Sequence, residues 1–407
     1  MKSANTILLL TNNFPPIRGG SAVVYDSLAR HLHGRLVVVA PSVSYVDGLP
    51  LIGWREHDRQ APYRVVRLPF LRTLIEDGER RGWRNRLLFL ASDIMIRLRV
   101  TAVIARLVLA GQVRTVCVGE LLASGWVLRL CRRLRFLRTI VYVHGEEITT
   151  EDVYDRGHQR ARDALLAADR IVVVSSFTLS AVQALLGPDA MAKDISLIEN
   201  GVDTGRFRPL GKRLDLVGLY NLHGAFVFVS VCRLLEKKGI DNAIQAFAGI
   251  LHRHPECRYL VVGTGPHEAE LRQIASAAGV TDSVIFAGDI SDDDLVHHYC
   301  LGDVFLMPNR QLANGDTEGF GLVFLEANGC GLPVIAGQDG GSRDAVRDGV
   351  NGLVVDGLSV EAIRAAMLSL MEDGRLRDRL RLGAADTAAS SDWSGKAASF
   401  LRMCDRP

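Results

Sequence analysis

Apolar positions along this chain follow two rhythms. Short runs of Val, Ile and Leu, roughly four to six residues long, alternate with longer stretches in which apolar residues recur every three or four positions. The short runs predict strands at Thr6–Leu10, Leu36–Ala40, Arg64–Leu68, Thr115–Val118, Thr139–Val143, Arg170–Val174 and Ile195–Ile198. A second series follows at Phe226–Val231, Tyr259–Val262, Ser283–Phe286, Val304–Met307, Pro333–Ala336 and Gly352–Val355. Strands that are apolar on both faces and separated by helices belong to parallel sheets covered on both sides. The series restarts after the polar, proline-bearing stretch Asn200–Leu222, where we place the hinge. The expectation is an α/β chain of two doubly wound domains, residues 1–205 and 206–392, with 393–407 returning to pack on the first. Ligands of such sheets collect beyond the carboxyl ends of the strands, so two domains facing each other would share one cleft.

Length and composition agree with two domains. The chain has 407 residues, 48% hydrophobic and 23% charged, more than one core usually organises. The greasiest stretch, Leu87–Val113, is broken by Asp93, Arg97, Arg99 and Arg106, so no spanning helix is expected. MKSANTILLL runs straight into a strand pattern, which argues against a signal peptide. Seven cysteines, at 117, 131, 232, 257, 300, 330 and 404, form no CxxC pair. That pattern points to reduced thiols and a cytoplasmic protein, with neither a disulfide frame nor a metal site.

A formal net charge of +2 conceals an asymmetry. Residues 1–210 carry 29 Lys and Arg against 20 Asp and Glu, whereas residues 211–407 carry 19 against 26. Between Arg55 and Arg138 there are 18 basic residues, all arginine, and 7 acidic ones. One half of the chain is therefore built to face an anion: phosphate, nucleic acid or a membrane surface. Nucleic acid is disfavoured, because the charge coincides with apolar faces and neither an RNP-type aromatic pattern nor a zinc finger is present.

Four constellations fall just after predicted strands. Asn12-Asn13-Phe14-Pro15-Pro16-Ile17-Arg18-Gly19-Gly20 leads into a helical pattern, and the Gly19–Gly20 pair opens backbone N–H groups to an anion. Ser230-Val231-Cys232-Arg233-Leu234-Leu235-Glu236-Lys237-Lys238-Gly239 places Arg233 and Lys238 where two cations can meet one diphosphate, with Lys237 read as facing solvent. Glu318-Gly319-Phe320-Gly321-Leu322-Val323-Phe324-Leu325-Glu326 sets two carboxylates around a helix start. The helix N-terminus suits a diphosphate, and a buried Glu326 among apolar neighbours needs a partner such as a ribose diol. Val143-His144-Gly145 puts a histidine at a strand end, as hydrogen-bond partner or acid/base. A GxGxxG fingerprint is lacking, since Gly263-Thr264-Gly265 is followed by Glu268 where the third glycine belongs.

Taken together, NNFPPIRGG, VHGEE, VVVSSFT, IENGVDTGRFRP, SVCRLLEKKG, VVGTGP and EGFGLVFLEANGCGLPVIAGQDGGSRDAV cover nearly the whole chain. In that order they resemble glycosyltransferase family 4, the retaining nucleotide-sugar transferases with two Rossmann-like domains in the GT-B arrangement. The resemblance implies that Arg233 and Lys238 bind the donor diphosphate and Glu326 the ribose hydroxyls. Glu318 would position the transferred sugar, with the backbone of Phe320, Gly321, Leu322 and Val323 near sugar and phosphate. His144 would sit by the sugar on the acceptor side and Gly19–Gly20 near the phosphate. It also implies no cofactor beyond the nucleotide-sugar substrate and no metal, with His144, Glu318, Arg233 and Lys238 as the catalytic set. Two departures from the family pattern stand out, Cys232 for a glycine and Asn328-Gly329 for alanines. Base recognition would fall on the backbone around Gly263, Gly265 and Gly288–Ile290.

Within that family the chain looks most like bacterial mannosyltransferases that use GDP-mannose, including those acting on phosphatidylinositol. The expected acceptor is a lipid-linked sugar, glycolipid or polysaccharide. Arg72, Arg80, Arg81, Arg84 and Arg86 flank Trp83 and Leu87–Leu90, and Arg129–Arg138 repeats the mixture. Such stretches favour anionic lipid, so the whole segment Arg72–Arg138 is expected to hold the protein on the inner face of the plasma membrane. The alternatives are a UDP-sugar transferase with a soluble acceptor and a GT-B-fold nucleotide-sugar epimerase.

Overall fold

In the computed structural model, residues 6–74, 83–134, 136–150 and 155–405 are described. The first sheet holds β1 (Ile7–Leu10), β2 (Leu36–Pro41), β3 (Arg64–Leu68), β4 (Thr115–Val118), β5 (Arg138–Val143), β6 (Arg170–Val173) and β7 (Asp194–Leu197). The second holds β8 (Val227–Val231), β9 (Arg258–Val262), β10 (Val284–Gly288), β11 (Val304–Met307), β12 (Val334–Gly337) and β13 (Gly352–Val355). Every predicted strand is present, with its ends within two residues of expectation. All pairings are parallel, in the orders β3-β2-β1-β4-β5-β6-β7 and β10-β9-β8-β11-β12-β13.

The chain divides into two compact units. One comprises Met1–Val174, Thr178–Ile198 and Trp393–Pro407, the other Ser175–Phe177 and Glu199–Asp392. The C-terminal helix Trp393–Asp405 thus completes the first unit, burying Trp393, Phe400 and Met403. Phe400 packs on Tyr142 with ring centroids 6.2 Å apart, and Arg35 grips Asp405 through two hydrogen bonds of 2.6 and 2.9 Å. Burying each such large apolar side chain contributes about 1.5–3 kcal/mol.

Each sheet reverses its winding once, between β1 and β4 and between β8 and β11. Loops at these reversals diverge to opposite faces and leave a crevice at the carboxyl edge. The loops after β1, β8 and β11 contain Asn12–Gly19, Cys232–Gly239 and Pro308–Gly321, so topology alone delivers the candidate residues to the crevices.

The arginine-rich segment is not one surface. The helix Trp83–Leu109 starts beyond the carboxyl end of β3, and the helix Leu121–Arg132 ends at the amino end of β5. Arg84 and Arg86 therefore lie at the site edge of the sheet, while Arg129, Arg132, Arg133 and Arg138 lie at the opposite edge. Arg80, Arg81 and Arg135 fall outside the described residues.

Candidate active site

On the second unit, β8 ends and the chain turns sharply through Cys232–Gly239. Glycines make this turn possible. A side chain at Gly265 would stand 2.2 Å from the Leu234 carbonyl oxygen, and one at Gly263 would stand 2.0 Å from that of Cys232. The two loops are then tied by Leu234 N–H to Thr264 O at 2.9 Å. Gly263 and Gly265 thus have a packing role, close approach of backbone to backbone, whatever else they touch.

Arg233 points outward from this turn, exposed, with no carboxylate partner among the described residues. Lys238 is the reverse case. Its ammonium donates to the Glu318 carboxylate, and both side chains are only 14% exposed. Burial by itself would lower the lysine and raise the glutamate, but the opposite charges prevail: Lys238 is held above, and Glu318 below, its ordinary value. Lys237 corrects the sequence reading, because it is buried and braces the neighbouring loop. Its Nζ donates to Asp316 at 2.6 Å and to the Thr317 carbonyl at 3.3 Å.

Gly321, at φ 88°, begins the helix Leu322–Gly329, whose first turn has neither a side-chain cap nor an acidic residue. Phe324 N–H is taken by the Gly321 carbonyl at 3.0 Å, and the Leu322 and Val323 N–H groups are the ones placed to meet an anion. Phe320 is buried beneath this turn. Glu326, partly buried one turn further on, accepts from the Tyr299 hydroxyl at 2.7 Å through one oxygen. Burial raises its carboxyl above the usual range, against the lowering pull of that hydrogen bond and of Arg206. The second oxygen has no protein partner among the described residues. The departure at 328–329 now has a reason: a side chain at Gly329 would stand 2.8 Å from the Phe207 carbonyl oxygen. Asn328 is fully buried and hydrogen-bonded to Leu332 O and to Asn351.

On the first unit, Gly19 and Gly20 are exposed, and the helix Gly20–His31 starts without a side-chain cap or first-turn acid. His144 ends the run after β5. Its Nε2 lies 2.7 Å from the Tyr25 hydroxyl, and its ring stacks on Tyr142 with centroids 5.3 Å apart. Burial pushes His144 down to about 4, so the ring is neutral at physiological pH and not a standing cation. Its backbone N–H and that of Gly145 are received by Glu147, itself raised by burial to about 7.

Among the described residues no three His, Cys, Asp or Glu side chains gather as metal ligands, and no helix is long and apolar enough to cross a membrane. The second unit thus offers cations and helix N–H groups for a diphosphate and carboxylates for hydroxyls, and the first unit, taken by itself, offers a neutral imidazole.

Residues 18–206 match the description Glycosyltransferase Family 4, and residues 221–386 match Glycosyl transferases group 1. A GDP-mannose-dependent alpha-(1-6)-phosphatidylinositol monomannoside mannosyltransferase of Mycobacterium tuberculosis is 33% identical over 98% of both chains. The chain belongs to glycosyltransferase family 4. A related mannosyltransferase of Corynebacterium glutamicum, named for a monoacylated phosphatidylinositol monomannoside, is 26% identical over 97% of this chain and 96% of its own. HepE of Anabaena, solved with UDP and glucose, shares the GT-B fold at a TM-score of 0.76 and 18% identity, covering 99% of this chain and 100% of that one.

Three supports of this family 4 glycosyltransferase escaped the sequence reading. Glu120, at the end of β4, accepts from Thr11 Oγ1 at 2.6 Å and from the Asn12 and Asn13 backbone N–H groups at 2.8 and 3.2 Å, fixing the loop that leads to Gly19. Its place just after a strand was the available signal. Arg310 makes a bidentate pair with Asp241 at 2.7 and 2.8 Å and carries the loop before Glu318. Tyr25 reads in the sequence as one more apolar position on a helix, with nothing to mark its hydroxyl.

Proposed function

We propose that the protein transfers mannose from GDP-mannose, with retention, to a hydroxyl of a phosphatidylinositol mannoside or a closely similar glycolipid. The observation that carries this reading is the 33% identity over 98% of both chains with an enzyme named for that donor and acceptor. Arg233, Lys238 and the open N-terminus of Leu322–Gly329 supply positive charge to the diphosphate, and the free oxygen of Glu326 takes the ribose hydroxyls. Glu318, held ionised by Lys238, accepts from sugar hydroxyls and positions the ring. As the bond from C1 to the phosphate oxygen breaks, the acceptor oxygen bonds to C1 on the same face. Its proton passes to the departing phosphate, leaving GDP, so no side-chain nucleophile is required.

A glycolipid acceptor calls for a membrane contact, and the helix Trp83–Leu109 carries one suited to it. Trp83, Leu87, Leu90, Ile94 and Leu98 are exposed and fall within an arc of roughly 80° at 3.6 residues per turn. Arg86 and Arg97 border this stripe on one side, and Arg84 on the other. An apolar stripe between arginines is the pattern of a helix lying in an anionic interface. The test is transfer of labelled mannose from GDP-mannose to phosphatidylinositol monomannoside in anionic vesicles, with UDP-sugars in parallel. Mannosylated glycolipid is the expected product; transfer from UDP-sugars alone, or none from any donor, would overturn the reading.

A further inference from the structure

Two hydrogen bonds beside His144 define a role that goes beyond the proposed function while resting on it. The Tyr25 hydroxyl owns one proton and faces two partners, the Gly119 carbonyl oxygen at 2.6 Å and His144 Nε2 at 2.7 Å. A carbonyl only accepts, so the tyrosine proton lies on the Gly119 bond. The imidazole must then donate from Nε2 to the tyrosine oxygen. We infer that Tyr25 is a positioning residue that fixes His144 as the neutral Nε2–H tautomer, so that Nδ1 is left as a bare lone pair that accepts from a substrate hydroxyl. A deoxy carbon, an alkylated oxygen or a carboxylate in that place has no proton to give and is rejected.

The packing enforces this arrangement. A side chain at Gly119 would stand 2.8 Å from the Tyr25 ring and hydroxyl, so only glycine lets the phenol lie against that carbonyl. Tyr25 is fully buried and packs edge-on to both Tyr142 and His144, at 5.8 and 5.3 Å between centroids. Burial, with the Glu120 carboxylate behind it, pushes the phenol well above its ordinary value, so it stays protonated. No described residue bonds to Nδ1, and His144 is not fully enclosed.

Two measurements on the full chain test this. With all 11 histidines labelled with nitrogen-15, two-bond proton–nitrogen correlations distinguish the tautomers, and the signal missing from His144→Gln assigns the ring. At neutral pH the wild type should show a protonated Nε2 and a bare Nδ1, and Tyr25→Phe should shift the ring towards Nδ1–H. A wild-type Nδ1–H tautomer, an imidazolium, or no change in Tyr25→Phe overturns the inference. In the transfer assay with monodeoxy analogues of GDP-mannose and, separately, of the acceptor, one position should lower kcat/KM about three- to tenfold, the worth of one neutral hydrogen bond. Tyr25→Phe should lose that discrimination, and equal discrimination in both proteins overturns the positioning role. If no nucleotide sugar is turned over at all, the transferase reading fails, while the tautomer is still decided by the spectrum.

Discussion

Replacing Glu318 with Gln separates what the carboxylate does for the fold from what it does for the sugar. The substitution keeps shape but leaves the Lys238 ammonium without its partner in a place where each side chain is 14% exposed. Removing one member of a buried pair costs about 3–5 kcal/mol. The lower end applies, since some solvent reaches the pair and Asp316 also acts on Lys238. Some 3 kcal/mol on a unit of this size corresponds to a fall in melting temperature of roughly 6–12 °C. GDP carries the missing negative charge, so saturating GDP should raise the melting point of Glu318→Gln more than that of the wild type. Transfer of mannose should collapse, because GDP has no sugar contact to lose and GDP-mannose does. The pH dependence follows from the directions of the shifts. Glu318 is held below 4.5, so its contribution is present above that value and lost as pH falls through its folded pKa. Lys238 is held above 10.5, so its share is present below that value and lost as pH rises through its folded pKa. The stability gap between wild type and variant should therefore be flat across neutral pH and close in acid. Calorimetry showing equal melting points, or weaker GDP binding in the variant, would refute the reasoning.

Glu326→Gln should weaken GDP binding by roughly ten- to a hundredfold, the worth of a charge-assisted hydrogen bond to a ribose hydroxyl; unchanged affinity by calorimetric titration rules out that role. Gly265→Ala sets a methyl group against the Leu234 carbonyl, with no flexible side chain to yield, and should lower the melting point by several degrees before any ligand is added. Flotation with anionic liposomes should be lost on replacing Trp83, Leu87 and Leu90 together with Ser and kept on replacing Arg129, Arg132 and Arg133 with Gln; the opposite result would move the membrane contact to the other edge of the sheet.

The inner strands were legible because a parallel sheet covered on both faces admits almost nothing but aliphatic residues, whereas β3 and β7 at the edges admit Arg64, Arg67 and Asp194 and were legible by their place in the series. The loops after β8 and β11 were legible for a different reason: glycines and charges gathered at strand ends have few structural explanations. Lys237 and Lys238 show the limit. Adjacent in sequence and identical in chemistry, they receive opposite tasks from a single turn of backbone, and only Asp316 and Glu318, some 80 residues away, decide which is which. The arginine segment misled because composition ignores direction, and a helix of 12 residues carries its two ends to opposite edges of a sheet.

The C-terminal helix has a consequence for synthesis. A ribosome releases residues 199–392 as one continuous piece, able to close its own sheet as it emerges. The first unit, though begun earlier, lacks Trp393, Phe400 and Met403 until residues 393–405 have followed the second unit out of the tunnel. The unit begun first is thus completed after the second, and during that interval the apolar seat around Tyr142 stands open to solvent and to chaperones.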